Sequence, residues 1–130
     1  MASDLKYRTP LNRVRGLGSA KDGTHHWWAQ RLTAIALVPL LLWFVGAMVS
    51  VADADYADAV EWMRSPFVTV LMIGLLGALF HHAQLGVQVV LEDYVQSEWL
   101  KFTSIILVKL AAFLLGLSGI VAVLKVSLGG

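Results

Sequence analysis

Three apolar runs take up most of the 130-residue chain: Leu32–Ala52, Phe67–Leu91, and a third from Phe102 to about Leu128. Each is long enough to cross a hydrocarbon core of ~30 Å at ~1.5 Å of helix per residue. None alternates apolar and polar residues with period two, so a barrel is excluded. Nor can a soluble domain accommodate them. The chain is 58% hydrophobic and 15% charged, whereas soluble proteins average roughly 45–50% apolar residues, glycine included, and roughly 25% charged. With charge this scarce, the runs have no polar face to turn toward water. The expected fold is therefore all-α and integral to a membrane, with three transmembrane helices.

Composition narrows the chemistry as well. Ten basic residues against nine acidic ones give a net charge of +1, which implies no nucleic-acid partner. Cysteine is absent. That excludes disulfides, thiolate-held iron–sulfur clusters and covalently attached c-type haem within this chain. Any metal must be held by nitrogen or oxygen.

Residues 1–24, "MASDLKYRTPLNRVRGLGSAKDGT", are polar and basic, with Lys6, Arg8, Arg13, Arg15 and Lys21 facing only Asp4 and Asp22. No small-residue cleavage site follows an apolar core, as a signal peptide requires. A retained basic tail is expected, and Pro10, Gly16, Gly18 and Gly23 argue against a long helix in it. The membrane domain then spans 25–130. Pro39 lies inside the first run, where a kink near Val38 is expected and lipid tolerates it. The connection "DADYADAVEWMRSP" sets four acids against Arg64, and "EDYVQSEWLK" reads as a short polar turn. Basic residues crowd the tail while the first loop is acidic, so the N-terminus and the Asp93–Tyr94 turn are expected on the cytoplasmic side and the C-terminus in the periplasm. Trp27, Trp28, Trp62 and Trp99 fall near helix ends, where indoles favour the lipid headgroup layer. Lys109 is expected either to snorkel toward headgroups or to face the bundle and pair there.

The stretch "HHAQLGVQVVLEDY", residues 81–94, carries the chemistry. Successive helical positions differ by about 100°, so His81 and His82 cannot point the same way. His82 has Ala78 and Gly86 four residues to either side, small residues against which something flat can lie. Asp93 is eleven residues on, ~16 Å along the axis and on nearly the same face. His81 has Gly77, Gln84 and Gln88 near its own face. A neutral imidazole in mid-membrane is an axial ligand for haem iron or a hydrogen-bonding tie between helices; both demand a partner helix. His25 and His26, with Trp27, Trp28 and Arg31, form a basic aromatic collar suited to haem propionates or lipid phosphates.

The set His82, Gly86, Asp93 and Tyr94, together with the entry "GTHHWWAQRLTAIAL", resembles the hydrophobic membrane anchor subunit of succinate dehydrogenase, respiratory complex II, in an alphaproteobacterial style. The resemblance covers residues 16 to about 95 by motif and the whole chain by its three-span layout. It implies one part of a heteromeric helix bundle in a bacterial inner membrane. The partners would be a cytochrome b-type membrane subunit, an iron–sulfur subunit and a flavoprotein subunit. By position, His82 would be one axial ligand of haem b, with His25 and Arg31 near the propionates. Tyr94 would hydrogen-bond ubiquinone, with Asp93 beside it. The chain has no dinucleotide fingerprint and no soluble domain, so by itself it is not the dehydrogenase.

Two other classes compete. One is a purely structural membrane subunit with no cofactor, its histidines tying helices together. The other is a small transporter or channel subunit with a His82–Asp93 proton path; the transporter form is disfavoured because three spans without an internal repeat make a poor alternating-access unit.

Overall fold

The computed structural model describes residues 21–129; the basic stretch 1–20, most of the expected tail, lies outside them. Four helices follow in order: α1, Lys21–Ser50; α2, Tyr56–Arg64; α3, Pro66–Tyr94; and α4, Glu98–Ser127. No strand occurs among the described residues. Three helices are long and apolar enough to cross a membrane: Gly23–Ser50 within α1, α3 and α4. The protein is a multi-pass membrane protein. At ~1.5 Å per residue each helix exceeds the ~30 Å hydrocarbon core, so its ends reach the headgroup layers.

The boundaries differ from the sequence reading in instructive ways. α1 begins at Lys21, so Gly23 is helical, and the helix continues as one segment through Pro39. The acidic connection contains α2. Asp55 caps it by accepting a 2.9 Å hydrogen bond from the Asp58 amide, which satisfies one of the helix's orphan donors. Its inner side carries half-buried Ala59, Val60, Trp62 and Met63, and the Trp62 ring stacks on Trp43 of α1 at 6.5 Å. α3 runs on past Leu91 to include Asp93 and Tyr94. Gln88 Nε2 donates to Glu92 Oε1 at 2.7 Å, tying that last turn down. α4 starts at Glu98, where an acid suits the positive end of the helix dipole and meets Lys101 at 3.1 Å. Only Val95–Ser97 remain as the turn.

The spans form a row. α3 lies in the middle, packed on α1 along one side and on α4 along the other, whereas the Cα atoms of α1 and α4 stay more than 8 Å apart among the described residues. The core is thin: Leu37, Val68, Leu75, Leu85 and Val123 are the buried apolar side chains among the described residues. Between α3 and α4, two glycines of α4 receive side chains of α3. A Cβ on Gly116 would sit 3.4 Å from Phe80, and one on Gly119 would sit 3.2 Å from Leu76. Small residues let membrane helices pack by backbone contact. Near the α2 end, Thr69 Oγ1 and Ser127 Oγ share a 2.8 Å hydrogen bond that ties the start of α3 to the end of α4.

The glycine contacts yield a first prediction. Replacing both Gly116 and Gly119 by valine overpacks the α3–α4 seam and is expected to cost about 1–3 kcal/mol per site. The loss should appear as a lower thermal midpoint in detergent. Gly46→Ala, which meets no atom within 4 Å, should leave it unchanged; equal stability of the double variant would refute the seam.

Candidate functional site

The polar side chains of the membrane interior divide between the two sides of α3. On the α1 side, His82 is half-buried. Its Nδ1 lies 3.0 Å from Thr33 Oγ1, the one hydrogen bond of this ring. The Thr33 hydroxyl also approaches the carbonyl oxygens of its own helix, Ala29 at 2.7 Å and Gln30 at 3.1 Å. Gly86, one turn from His82, lets Gln30 come close: a Cβ there would be 3.7 Å from Gln30 Nε2. The small residue expected to receive a flat group therefore also admits a side chain of α1.

Nearer the Tyr94 end, the same seam holds His26, Gln30 and Gln88. His26 Nε2, Gln30 Oε1 and Gln88 Oε1 are buried there without a hydrogen-bond partner. Buried polar atoms are ordinarily hydrogen-bonded, so this seam retains binding capacity. His26, Gln30 and Thr33 recur at intervals of four and three, one face of a helix. That periodicity was readable in the sequence, yet only His26 was singled out, and then as part of a collar.

On the α4 side, His81 is exposed and lines a groove of about 390 Å³ with Phe80, Gln84, Lys109, Ala112 and Phe113. The two histidines thus diverge as helix geometry requires. Lys109 faces this groove and is exposed. It lies eleven residues into α4, ~16 Å from the helix start.

The other expected site residues lie toward one end. His25 and Arg31 are exposed, and the Arg31 guanidinium stands 5.3 Å from the centre of the Trp27 ring, within cation–π range. Trp27 and Trp28 meet edge to face at 5.1 Å. The basic aromatic collar is therefore present at the start of α1. His26, rather than His25, turns into the seam. Asp93 and Tyr94 close α3, both exposed and with no side-chain hydrogen bond among the described residues; Tyr94 is 81% exposed. Tyr94 is twelve residues from His82, ~18 Å along the axis. No contact joins His25, Arg31 or Asp93 to His82 among the described residues.

The donor set suits a haem shared between chains. One imidazole stands well inside a span with its Nε2 unengaged among the described residues, and His81 points elsewhere, so a haem held here with two histidine ligands would need the second from another subunit. No group of three or more histidines and acids that could hold a bare metal ion occurs among the described residues.

Comparison with known proteins bears on the same stretch. Residues 6–116 match the family described as succinate dehydrogenase/fumarate reductase transmembrane subunit. The chain is 38% identical over 118 residues to the succinate dehydrogenase hydrophobic membrane anchor subunit of Rickettsia bellii, covering 90% of this chain and 94% of the relative. It is 32% identical over 105 residues to the protein of that name in Rickettsia conorii, covering 80% and 83%. To the counterpart in Paracoccus denitrificans it is 30% identical over 95 residues, or 71% of each chain.

Proposed function

The chain belongs to the succinate dehydrogenase/fumarate reductase transmembrane subunit family, and from that premise we propose that it is the hydrophobic membrane anchor subunit of a succinate:quinone oxidoreductase. In this role it helps dock a flavoprotein and an iron–sulfur subunit on the cytoplasmic face of a bacterial inner membrane, beside a cytochrome b-type membrane subunit. His82 supplies one axial ligand of haem b. Tyr94 and Asp93 contribute to a ubiquinone site, and His25 and Arg31 face the haem propionates. The observation that carries the haem assignment is His82 itself, half-buried on the central helix, with one ring nitrogen engaged and the other open.

When bound, haem supplies a one-electron carrier whose potential follows its axial ligands and their hydrogen bonds. The chain's own residues do the rest. His82 would hold the iron, and Arg31 would offset anionic charge at the rim. The Tyr94 phenol donates to a quinone oxygen that gains charge on reduction, a preorganised stabilisation. Asp93, next in sequence, keeps the phenol oriented or relays a proton from water.

The decisive experiment is purification of the complex through a tag on this chain, followed by identification of the co-purifying subunits and a reduced-minus-oxidised spectrum. A flavoprotein, an iron–sulfur protein, a second membrane subunit and a low-spin b-type spectrum are expected. The subunits without haem would leave the chain an anchor only.

Orientation forms a separate prediction. The basic residues before Lys21 and the acids of Asp53–Glu61 put the N-terminus in the cytoplasm by the positive-inside rule. A reporter active only in the cytoplasm, fused after Gly130, should therefore be silent; strong activity there would reverse the topology.

A further inference from the structure

We infer that Thr33 is the positioning residue that fixes the tautomer and orientation of His82, an inference that rests on the haem reading above. The hydroxyl has one proton to give. Carbonyl oxygens can only accept, and the Ala29 oxygen at 2.7 Å and the Gln30 oxygen at 3.1 Å both claim that proton. What Thr33 has left at Oγ1 is a lone pair, and His82 Nδ1 faces it at 3.0 Å. The contact is therefore Nδ1–H donating to the hydroxyl. A neutral imidazole carries one N–H; with the proton on Nδ1, the unprotonated nitrogen is Nε2, the atom able to bind iron.

The alternative tautomer has a clear penalty here. Turning the hydroxyl toward Nδ1 would give up both carbonyl contacts and put the ring proton on Nε2, which meets no acceptor among the described residues. An unsatisfied N–H in a low-dielectric interior is costly. The device also spans two helices. Thr33 is on α1 and His82 on α3, so the packing of these two spans sets the ligand's angle. Ligating histidines ordinarily pass their other N–H to a carboxylate, carbonyl or water, which raises ligand basicity. Here a hydroxyl polarised by its own helix takes that part.

The test compares Thr33→Val, which keeps the shape and loses the hydroxyl, with Thr33→Ser, which restores it, in the tagged complex. For Thr33→Val, haem affinity should fall about 10–100-fold, the range found when such partners are removed. The haem midpoint potential should rise, because a less basic ligand favours the ferric form less, and the low-spin electron paramagnetic resonance signal should shift. Thr33→Ser should restore all three. Subunit stoichiometry and succinate-to-dye electron transfer, both upstream of the haem, should be normal throughout. Where Thr33→Val does not assemble, pulsed resonance on the unaltered complex replaces it: the remote nitrogen of His82 should be protonated and hydrogen-bonded, and an unprotonated one would overturn the inference. Identical affinity, potential and signal in Thr33→Val would also overturn it while leaving His82 as ligand. A haem insensitive to both His81→Ala and His82→Ala would instead remove the underlying reading.

Discussion

A complex carrying His82→Ala is expected to lose its low-spin b-type haem or to hold it in visibly altered form, while His81→Ala keeps it. The two residues are neighbours in sequence but occupy different sides of α3. His82 faces α1 and is held through Nδ1 by Thr33; His81 opens into the groove that Lys109 shares on the α4 side. On the haem reading proposed above, removing the His82 ring would delete a coordinate bond, and no other histidine of this chain reaches that depth on that side. The measurement is the reduced-minus-oxidised spectrum with haem quantified per complex. Spectral shape counts as much as content, since a substitute ligand can retain haem in changed form. The reverse pattern, with loss in the His81 variant and an unchanged spectrum in the His82 variant, would move the ligand by one position and void the part assigned to Thr33.

Tyr94→Phe should lower succinate–quinone reductase activity by about 10²–10³-fold, the loss seen when one preorganised donor to a developing oxyanion is removed; a site open to water will lose less. Tyr94 is the last residue of α3, largely exposed, and its hydroxyl makes no hydrogen bond among the described residues. A tyrosine that serves only as an interfacial anchor would tolerate phenylalanine, because the ring still packs in the headgroup layer. One that donates to a quinone oxygen loses that bond just as charge accumulates. The variant should therefore assemble normally, retain haem and pass electrons from succinate to a soluble dye accepting upstream of quinone. Normal quinone turnover would reduce Tyr94 to an anchor. Parallel loss of dye reduction would point to misassembly.

The spans were legible because lipid imposes a long, unmistakable apolar signal: Phe67–Leu91 sits inside α3, and the run from Phe102 to about Leu128 ends one residue past α4. Their ends were not. Helix continues through Asp93 and from Glu98 because local polar bonds, Gln88 to Glu92 and Lys101 to Glu98, support turns that hydropathy reads as loop. The short helix α2 was missed for a similar reason. Its acids masked the Asp55 cap and the apolar face of Val60 and Met63. At the candidate site, the divergence of His81 and His82 followed from helical geometry alone. Thr33 did not, because its meeting with His82 depends on the register of two antiparallel helices, which no local pattern encodes. His26 is the intermediate case, a polar residue whose spacing to Gln30 and Thr33 foretold an inward face while its position beside Trp27 suggested the rim.

The row arrangement, with α3 between α1 and α4, also fixes what the chain can do while it is being made. α3 packs back on α1, and α4 packs back on α2 and α3, so the α1–α3 seam needs no segment that follows it. α3 can settle against α1, bringing His82 to Thr33, before α4 has left the ribosome. The last helix then closes the far side through Gly116 and Gly119, leaving the α1–α3 seam as it was. This chain's share of the ligand pocket thus depends on its first and middle spans and asks nothing of the last.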